Sequence, residues 1–181
     1  MQFRKPKFWA NQKLSIWSIL LLPLSIIFLV LTWFVKIPSI LKNHKKNPLP
    51  VICVGNIYIG GTGKTPLARE IFEITKSFGK NPAFIKKYYD YLTDEIEMLR
   101  ATGKTYTDNN RNRSIFLSHN DNHDVAILDD GFQDFSIKPD FSILCFNSKQ
   151  MIGNGLVLPS GPLRESTNGI DRADCIIING S

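Results

Sequence analysis

Residues 51–66 read VICVGNIYIGGTGKTP and contain the pattern that decides the fold of this 181-residue chain. The apolar run that follows Pro50 is typical of a short, fully buried strand of a parallel sheet. A glycine-rich turn comes next and ends in Lys64 and Thr65. Strand, glycine-rich turn, Lys-Thr and helix is the Walker A arrangement, in which backbone N–H groups and a helix N-terminus surround phosphate oxygens. The stretch therefore predicts a nucleotide-binding α/β fold.

The residue types in this loop each have a chemical reason to be there. The glycines allow backbone conformations and close approach that a Cβ would block. Lys64 is placed to reach the β and γ phosphates of ATP, and the Thr65 hydroxyl to ligand Mg²⁺. The strict pattern has glycine where this chain has Tyr58. We predict that ATP binds through Tyr58, Ile59, Gly60, Gly61, Thr62, Gly63, Lys64 and Thr65.

The residues after the loop predict a helix. Its apolar positions recur at helical spacing and are expected to form the buried face: Leu67, Ile71, Ile74 and Phe78. Pro66 fits the first turn, where its missing N–H costs no hydrogen bond. Gly79 suits a left-handed cap at the other end.

A second motif follows the apolar run 125–128, which ends in Asp129 and Asp130. An apolar strand that terminates in aspartate is the Walker B arrangement, because it places a carboxylate at the sheet edge beside the Walker A loop. Adjacent carboxylates repel each other unless a cation lies near, which favours a metal site over a surface turn. We predict that both carboxylates assist Mg²⁺.

Five apolar runs predict strands at 51–55, 83–86, 125–129, 141–146 and 174–179. They alternate with helical or loop segments, which indicates an α/β fold with a P-loop NTPase-like parallel sheet and flanking helices. Residues 102–123 are polar, and we expect irregular structure there. Three cysteines lie within these apolar runs, which predicts buried, reduced thiols: Cys53, Cys145 and Cys175.

The first 50 residues differ from the rest of the chain. They hold eight basic and no acidic residues, whereas the other 131 hold 14 basic and 16 acidic residues. Residues 14–35 are uncharged, and as a helix they would span about 33 Å, the thickness of a bilayer core. Trp17 and Trp33 lie near the ends, where indole rings favour the membrane interface. The excess charge therefore indicates membrane lipids, and not nucleic acid, as the partner.

The apolar segment lacks the short core and small-residue cleavage site of a signal peptide. It either spans the bilayer or lies in the interface, and the four basic residues on each side do not orient it. Residues 1–50 are thus predicted to be a membrane anchor and residues 51–181 a nucleotide-binding domain on the cytoplasmic side, where ATP is available. A buried core helix of a soluble protein is the alternative.

Three segments, in this order, resemble the tetraacyldisaccharide 4′-kinase family of lipid A biosynthesis. They are residues 55–66 (GNIYIGGTGKTP), 129–133 (DDGFQ) and 153–165 (GNGLVLPSGPLRE). The resemblance implies a kinase at the inner membrane that transfers the γ-phosphate of ATP to the 4′-hydroxyl of a lipid A disaccharide precursor. It also implies a second lobe, which residues 1–181 do not include.

The resemblance assigns roles to several residues. Asp94 matches the aspartate of the family's Gly-Asp-Glu and would orient or deprotonate the sugar hydroxyl, while Lys64 acts on the γ-phosphate. Arg164 and Gln133 would contact substrate, and Glu165 the metal. Three features depart from the family: Lys86-Lys87-Tyr88-Tyr89 replaces Ser-Arg-Gly-Tyr, the connection from there to Asp94 is shorter, and Asp134 replaces histidine.

Two other functions stay open. Without the second lobe, the chain would be a membrane-bound fragment that binds nucleotide and does not catalyse transfer. A partner-regulated ATPase with a deviant Walker motif would carry lysine at the first position of its loop, where this chain has Ile59.

Overall fold

The computed structural model describes residues 5–10, 14–41, 46–89 and 93–180. Its strands are β1 (Val51–Gly55), β2 (Pro82–Lys87), β3 (Thr105–Asp108), β4 (Val125–Asp129), β5 (Phe141–Asn147) and β6 (Cys175–Asn179). They form one parallel sheet with the order β3-β2-β4-β1-β5-β6. The predicted parallel α/β fold is therefore confirmed, and β1 and β4 lie side by side at its centre.

The helices are α1 (Ile16–Leu20), α2 (Leu22–Leu41), α3 (Lys64–Ser77), α4 (Thr93–Arg100) and α5 (Arg111–Asn120). Short 3-10 helices lie at Lys7–Trp9 and Thr167–Arg172. Each face of the sheet buries a hydrophobic core. Val51 and Cys53 of β1 point to the core that contains Ile115 of α5, whereas Val54 points to the core that contains Ala68 of α3. Because helices cover both faces, the central strands are apolar on both sides.

The expectation of irregular structure at residues 102–123 is wrong. This region contains β3, which forms one edge of the described sheet, and α5, which packs on β2 and β3. The four residues of β3 read TYTD, and an edge strand needs little apolar surface because it pairs on one side only. The polar composition of residues 102–123 therefore did not indicate that they form β3 and α5.

Helix α3 follows the phosphate loop as predicted, and its predicted apolar positions Leu67 and Ile71 pack against the core, but the rest of its buried face differs. Ala68 and Phe72 are buried against the sheet, whereas Ile74 and Phe78 are 44% and 79% exposed. The small Ala68 does not stand out in a hydrophobic pattern, so the prediction missed one side of the buried face and extended the other side too far along the helix. The Phe72 ring stacks on Phe84 of β2 at a centroid distance of 4.6 Å. Gly79 has a φ of 72° and forms the predicted left-handed end.

The N-terminal apolar segment forms α1 and α2, with Pro23 in the first turn of α2. The segment Leu22–Ser39 is long and apolar enough to cross a membrane, and 6% of it is buried. That small fraction does not fit a core helix of a soluble protein. Of the predicted thiols, Cys53 and Cys145 are buried and Cys175 is partly buried, and all three are free.

The packed side of this segment makes polar contacts and also includes Phe28 and Leu29, which pack against the core, whereas the exposed side is apolar. The hydroxyl of Ser25 is buried between the carbonyl of Val157 (2.9 Å) and the hydroxyl of Ser160 (2.8 Å). Lys36 lies 3.5 Å from Glu165. The large apolar side chains that face away from the protein are 46–78% exposed. They are Leu14, Ile16, Trp17, Ile19, Leu20, Leu24, Ile26, Ile27, Val30, Leu31, Trp33, Phe34 and Val35.

Candidate functional site

The loop between β1 and α3 turns through two glycines in left-handed conformations. Gly60 has a φ of 106° and Gly63 a φ of 88°, values that residues with a Cβ rarely adopt. A Cβ on Gly63 would also lie 2.1 Å from the side-chain nitrogen of Asn179 at the end of β6. These glycines let the chain enter α3 directly, so that the N-terminus of that helix opens onto the loop.

The buried side chain of Asn56 holds the loop in shape through hydrogen bonds. It is fully buried, and its Nδ2 donates to the carbonyl of Tyr58 (2.6 Å) and to the hydroxyl of Thr62 (2.9 Å). Sequence reasoning missed this residue. The available signal was a polar side chain placed directly after a buried strand.

The segment 156–165 lies against the loop. The N–H of Ile59 donates to the carbonyl of Pro162 at 2.8 Å, and Tyr58 pairs with Leu163 as an antiparallel bridge. Tyr58 is buried at the position where the strict Walker A pattern has glycine. The departure from that pattern therefore has a structural role, because Tyr58 joins the loop to the neighbouring segment.

Asp129, at the end of β4, is fully buried beside the loop. The Thr65 hydroxyl donates to its Oδ2 at 3.1 Å, and the ammonium of Lys86 donates to the same oxygen. Its Oδ1 is buried without a hydrogen-bond partner among the described residues. An unpaired carboxylate oxygen near a threonine hydroxyl is a set of hard oxygen donors that fits Mg²⁺.

Asp130 has different partners from Asp129. Its Oδ1 lies 3.7 Å from the ammonium of Lys64, and Arg164 donates to its two oxygens at 3.0 and 3.2 Å. Burial raises the pKa of Asp130, but the charges of Lys64 and Arg164 outweigh burial and hold it below its ordinary value. Asp130 is therefore a carboxylate that holds two cations beside the phosphate loop.

Gln133 connects this group to a second cluster of charges. Its Oε1 accepts from Arg164 at 3.3 Å, and its Nε2 donates to Glu165 at 2.9 Å. Glu165 accepts two hydrogen bonds from Arg172, at 3.0 and 2.9 Å, and lies near Lys36. The structure thus brings Gln133 and Arg164 together and pairs Glu165 with cations. The role of Glu165 as a metal ligand stays a prediction.

Lys86 of β2 is a site residue that sequence reasoning missed. Its side chain is 2% exposed, and its ammonium contacts Asp129 and, at 2.6 Å, Glu95 of α4. Burial lowers the pKa of Lys86, but the two carboxylates outweigh burial and raise it. Asp94, the predicted catalytic residue, is exposed in the first turn of α4, and its neighbour Glu95 is the residue that contacts Lys86. The sequence signal that could have identified Lys86 was a lysine within an otherwise apolar strand.

Asp134 stands where the resemblance expects histidine, and it binds Arg111. The buried guanidinium of Arg111 donates to Asp134 at 2.8 Å and to the carbonyl of Asp130 at 2.9 Å. Arg111 is the first residue of α5, the helix that the sequence did not predict. This pair therefore ties α5 to the acidic turn.

The site opens into a cleft of about 400 Å³ between the C-terminal half of α2 and the acidic turn. Its charged lining residues are Lys36, Lys87, Arg111, Asp130, Asp134 and Arg164. Four cations face two carboxylates in this lining, so the cleft suits an anionic ligand.

A parallel sheet with a glycine-rich loop between strand and helix, and a carboxylate at the end of the adjacent strand, defines a P-loop nucleotide-binding protein. The crystal structure of the signal recognition particle 54 kDa protein from Aeropyrum pernix, in complex with GDP, has a similar fold with a TM-score of 0.52. The two chains are 14% identical, and the match covers 98% of this chain and 44% of that one.

The chain belongs to the tetraacyldisaccharide-1-P 4'-kinase family, whose profile matches residues 17–98 and 89–181. A tetraacyldisaccharide 4'-kinase of Pelagibacter ubique is 45% identical over 181 residues, which cover 100% of this chain and 56% of that protein. The corresponding protein of Colwellia psychrerythraea is 31% identical, over 96% of this chain and 57% of its own length.

A comparison with solved structures gives the same family. The crystal structure of LpxK from Aquifex aeolicus in complex with ATP matches with a TM-score of 0.76 and 26% identity, over 90% of this chain and 58% of that one. The chain therefore spans little more than half the length of the relatives that it matches.

Proposed function

We propose that this chain is the nucleotide-binding part of a kinase that transfers the γ-phosphate of ATP to the 4′-hydroxyl of a lipid A disaccharide precursor, tetraacyldisaccharide 1-phosphate. The family and its curated relatives support the reaction, and the ATP complex of the Aquifex relative supports the nucleotide. One observation carries the proposal. Lys64, Thr65 and Asp129, whose Oδ1 has no hydrogen-bond partner among the described residues, meet at one loop at the C-terminal ends of the central strands β1 and β4.

The phosphate-binding step follows from the charges of the loop. Lys64 and Arg164 are held on Asp130 at the mouth of the loop, so a triphosphate competes with one carboxylate for cations that are already in place. Thr65 and Asp129 are the residues that would hold Mg²⁺, with Asp130 beside them. When bound, Mg²⁺ offsets charge on the β and γ phosphates.

The proton of the sugar hydroxyl needs an acceptor, and Asp94 is the proposed one. It is exposed at the start of α4, so a substrate can approach it from solvent. The adjacent Glu95 is bound to Lys86, which ties this turn of the helix to Asp129. Asp94 therefore lies on a turn that Glu95 and Lys86 tie to the end of β4, and its exposed carboxylate is open to substrate.

Helix α2 is proposed to lie in the membrane interface, with the domain on the cytoplasmic side of the inner membrane. The contacts of α1 and α2 to the domain run from Ser18 of α1, which accepts from Asn154 at 3.2 Å, to Lys36 of α2 near the other end of the apolar segment. Because these contacts hold the helix along the side of the domain, the helix could enter a bilayer core only if the domain entered with it. Its exposed apolar residues instead suit the boundary between headgroups and acyl chains.

The test is transfer of labelled γ-phosphate from Mg·ATP to tetraacyldisaccharide 1-phosphate by the detergent-purified protein. Lys64→Ala is expected to lower the transfer rate by about 100-fold or more, because it removes a preorganised charge from the transferring phosphate. Lys80→Ala, which removes an exposed lysine after α3, is the matched control and should leave the rate unchanged. Full activity of Lys64→Ala would refute its role.

A second candidate function is nucleotide binding without transfer. It is favoured by the geometry, since Lys64, Thr65 and Asp129, which would hold the nucleotide, lie together at one loop, whereas the predicted acceptor of the sugar proton, Asp94, is exposed at the start of α4. Parallel measurement of ATP binding and phosphate transfer by residues 1–181 separates the two. Binding without transfer would support this candidate, and transfer would exclude it.

A further inference from the structure

Residues 5–10 lie near the phosphate-binding loop and are anchored there by Trp9. This side chain is buried, and its indole N–H donates to the carbonyl of Pro159 at 3.0 Å. The backbone carbonyl of Trp9 accepts a hydrogen bond from the N–H of Asn154 at 2.9 Å. The same segment that holds Trp9 pairs with the loop through Leu163. Residues 5–8 are therefore fixed relative to the loop.

Lys5 extends from this anchor over the loop. Its ammonium lies 4.6 Å from the centroid of the Tyr58 ring, within the range of a cation–π contact. It also donates to the side-chain amide of Gln150 at 3.3 Å. A Cβ on Gly60 would lie 2.8 Å from both Cε and Nζ of Lys5. The ammonium therefore lies directly against the loop glycine, in a space that only glycine leaves open.

Two ammonium groups thus approach one phosphate-binding loop. Lys64 has the carboxylate of Asp130 as its partner, whereas the salt bridges of the described residues give Lys5 no carboxylate. Burial and the nearby charge of Lys64 lower the pKa of Lys5. Two like charges at one loop favour an anion between them, and the loop is shaped to bind one.

We infer that Lys5 is a further nucleotide-binding residue, whose ammonium contacts the polyphosphate of ATP from the side of the loop opposite Asp130. The inference rests on the proposed function, because it assumes that the loop binds nucleotide. It assigns a binding role to a residue that precedes the membrane segment and lies outside the Walker motifs.

The test is titration of the detergent-purified protein with Mg·ATP by calorimetry. Lys5→Ala is expected to weaken binding by about tenfold, the loss of one charge-assisted hydrogen bond. Lys7→Ala removes the same charge from an exposed position two residues away and should change the Kd by less than about twofold. Lys5→Arg should retain most of the affinity. Equal thermal unfolding midpoints of all three variants establish that the fold is unchanged.

A lipid phosphate is the other anion that Lys5 would reach, and phosphatidylglycerol vesicles distinguish it from nucleotide. Equal loss of vesicle binding in Lys5→Ala and Lys7→Ala, with ATP affinity unchanged, would overturn the inference. Tighter ATP binding by Lys5→Ala would also overturn it, since Lys5 would then obstruct the loop. Absence of ATP binding in the unmodified protein would overturn the proposed function as well, whereas normal binding that Lys5→Ala leaves intact overturns this inference alone.

Discussion

Lys86 and Asp129 form a buried ion pair at the end of β4, with side chains 2% and 0% exposed. When one member of such a pair is removed, the other keeps its cost of desolvation without its partner. Lys86→Met is therefore expected to lower the free energy of unfolding by about 3 kcal/mol, measured by urea denaturation. Lys87→Met, the next position on β2, should cost less than about 1 kcal/mol. Equal costs would show that Asp129 does not depend on Lys86.

Asp134 predicts a dependence of stability on acid pH. Burial raises its pKa, but hydrogen bonds from Ser136 and Arg111 outweigh burial and hold it below its ordinary value of 3.8. A carboxylate with a lowered pKa stabilises the fold above its ordinary value and loses this contribution as pH falls through its folded value. Asp134→Asn should therefore cost about 1 kcal/mol at neutral pH, and this cost should shrink as pH falls below about 4 toward the folded pKa of Asp134.

Urea midpoints measured across this pH range test that dependence. Glu73→Gln, which changes an exposed carboxylate on α3, is the control and should follow the unmodified protein at every pH. A cost of Asp134→Asn that is the same at pH 3 and at neutral pH would show that packing, and not charge, explains the effect.

The sequence motifs predicted which residues meet at the loop, but not all of their partners. Lys64, Thr65 and Asp129 follow from local spacing, because each belongs to a strand–loop–helix unit or a strand end. The contact of Lys86 with Asp129 instead depends on the pairing of β2 with β4, where these two residues are direct neighbours. Register between distant strands is set by the whole sheet, so this contact was not visible in either segment alone.

The strands also differ in how well the sequence predicts them, and for the same reason. β1 and β4 are apolar on both faces and could be predicted, since a central strand must bury both sides. The polar β3 is stable because it pairs with β2 and packs under α5, and neither neighbour can be read from the letters TYTD. Segments whose structure depends on tertiary contacts are those that propensity fails to identify.

Helix α2 has an exposed apolar side, which predicts binding to lipid surfaces. Leu31→Lys places a charge at a position that is 59% exposed, where it should lower partitioning into phosphatidylglycerol vesicles by about tenfold without lowering stability. Phe116→Lys makes a similar change at a 57% exposed position on α5. It should leave partitioning unchanged, as measured by vesicle flotation. Equal losses for both variants would place lipid binding elsewhere than on α2.

The described sheet ends in two edges of opposite character. The β3 edge is short and polar, which discourages pairing with another chain. The β6 edge reads CIIIN, with Ile176 and Ile178 exposed on the side away from the core. Apolar side chains along an open edge are a template for association. We therefore expect residues 1–181 to self-associate through β6 when detergent covers α2.

Sedimentation velocity in detergent, over a range of protein concentrations, measures this association. Ile178→Lys should raise the dissociation constant by about tenfold, because it places a charge in the contact and removes apolar area from it. Leu31→Lys is the control, since it alters α2 and leaves β6 intact, and should not change association. If Leu31→Lys separates the molecules and Ile178→Lys does not, the contact runs through the apolar side of α2, because only there would a new charge be buried between two copies.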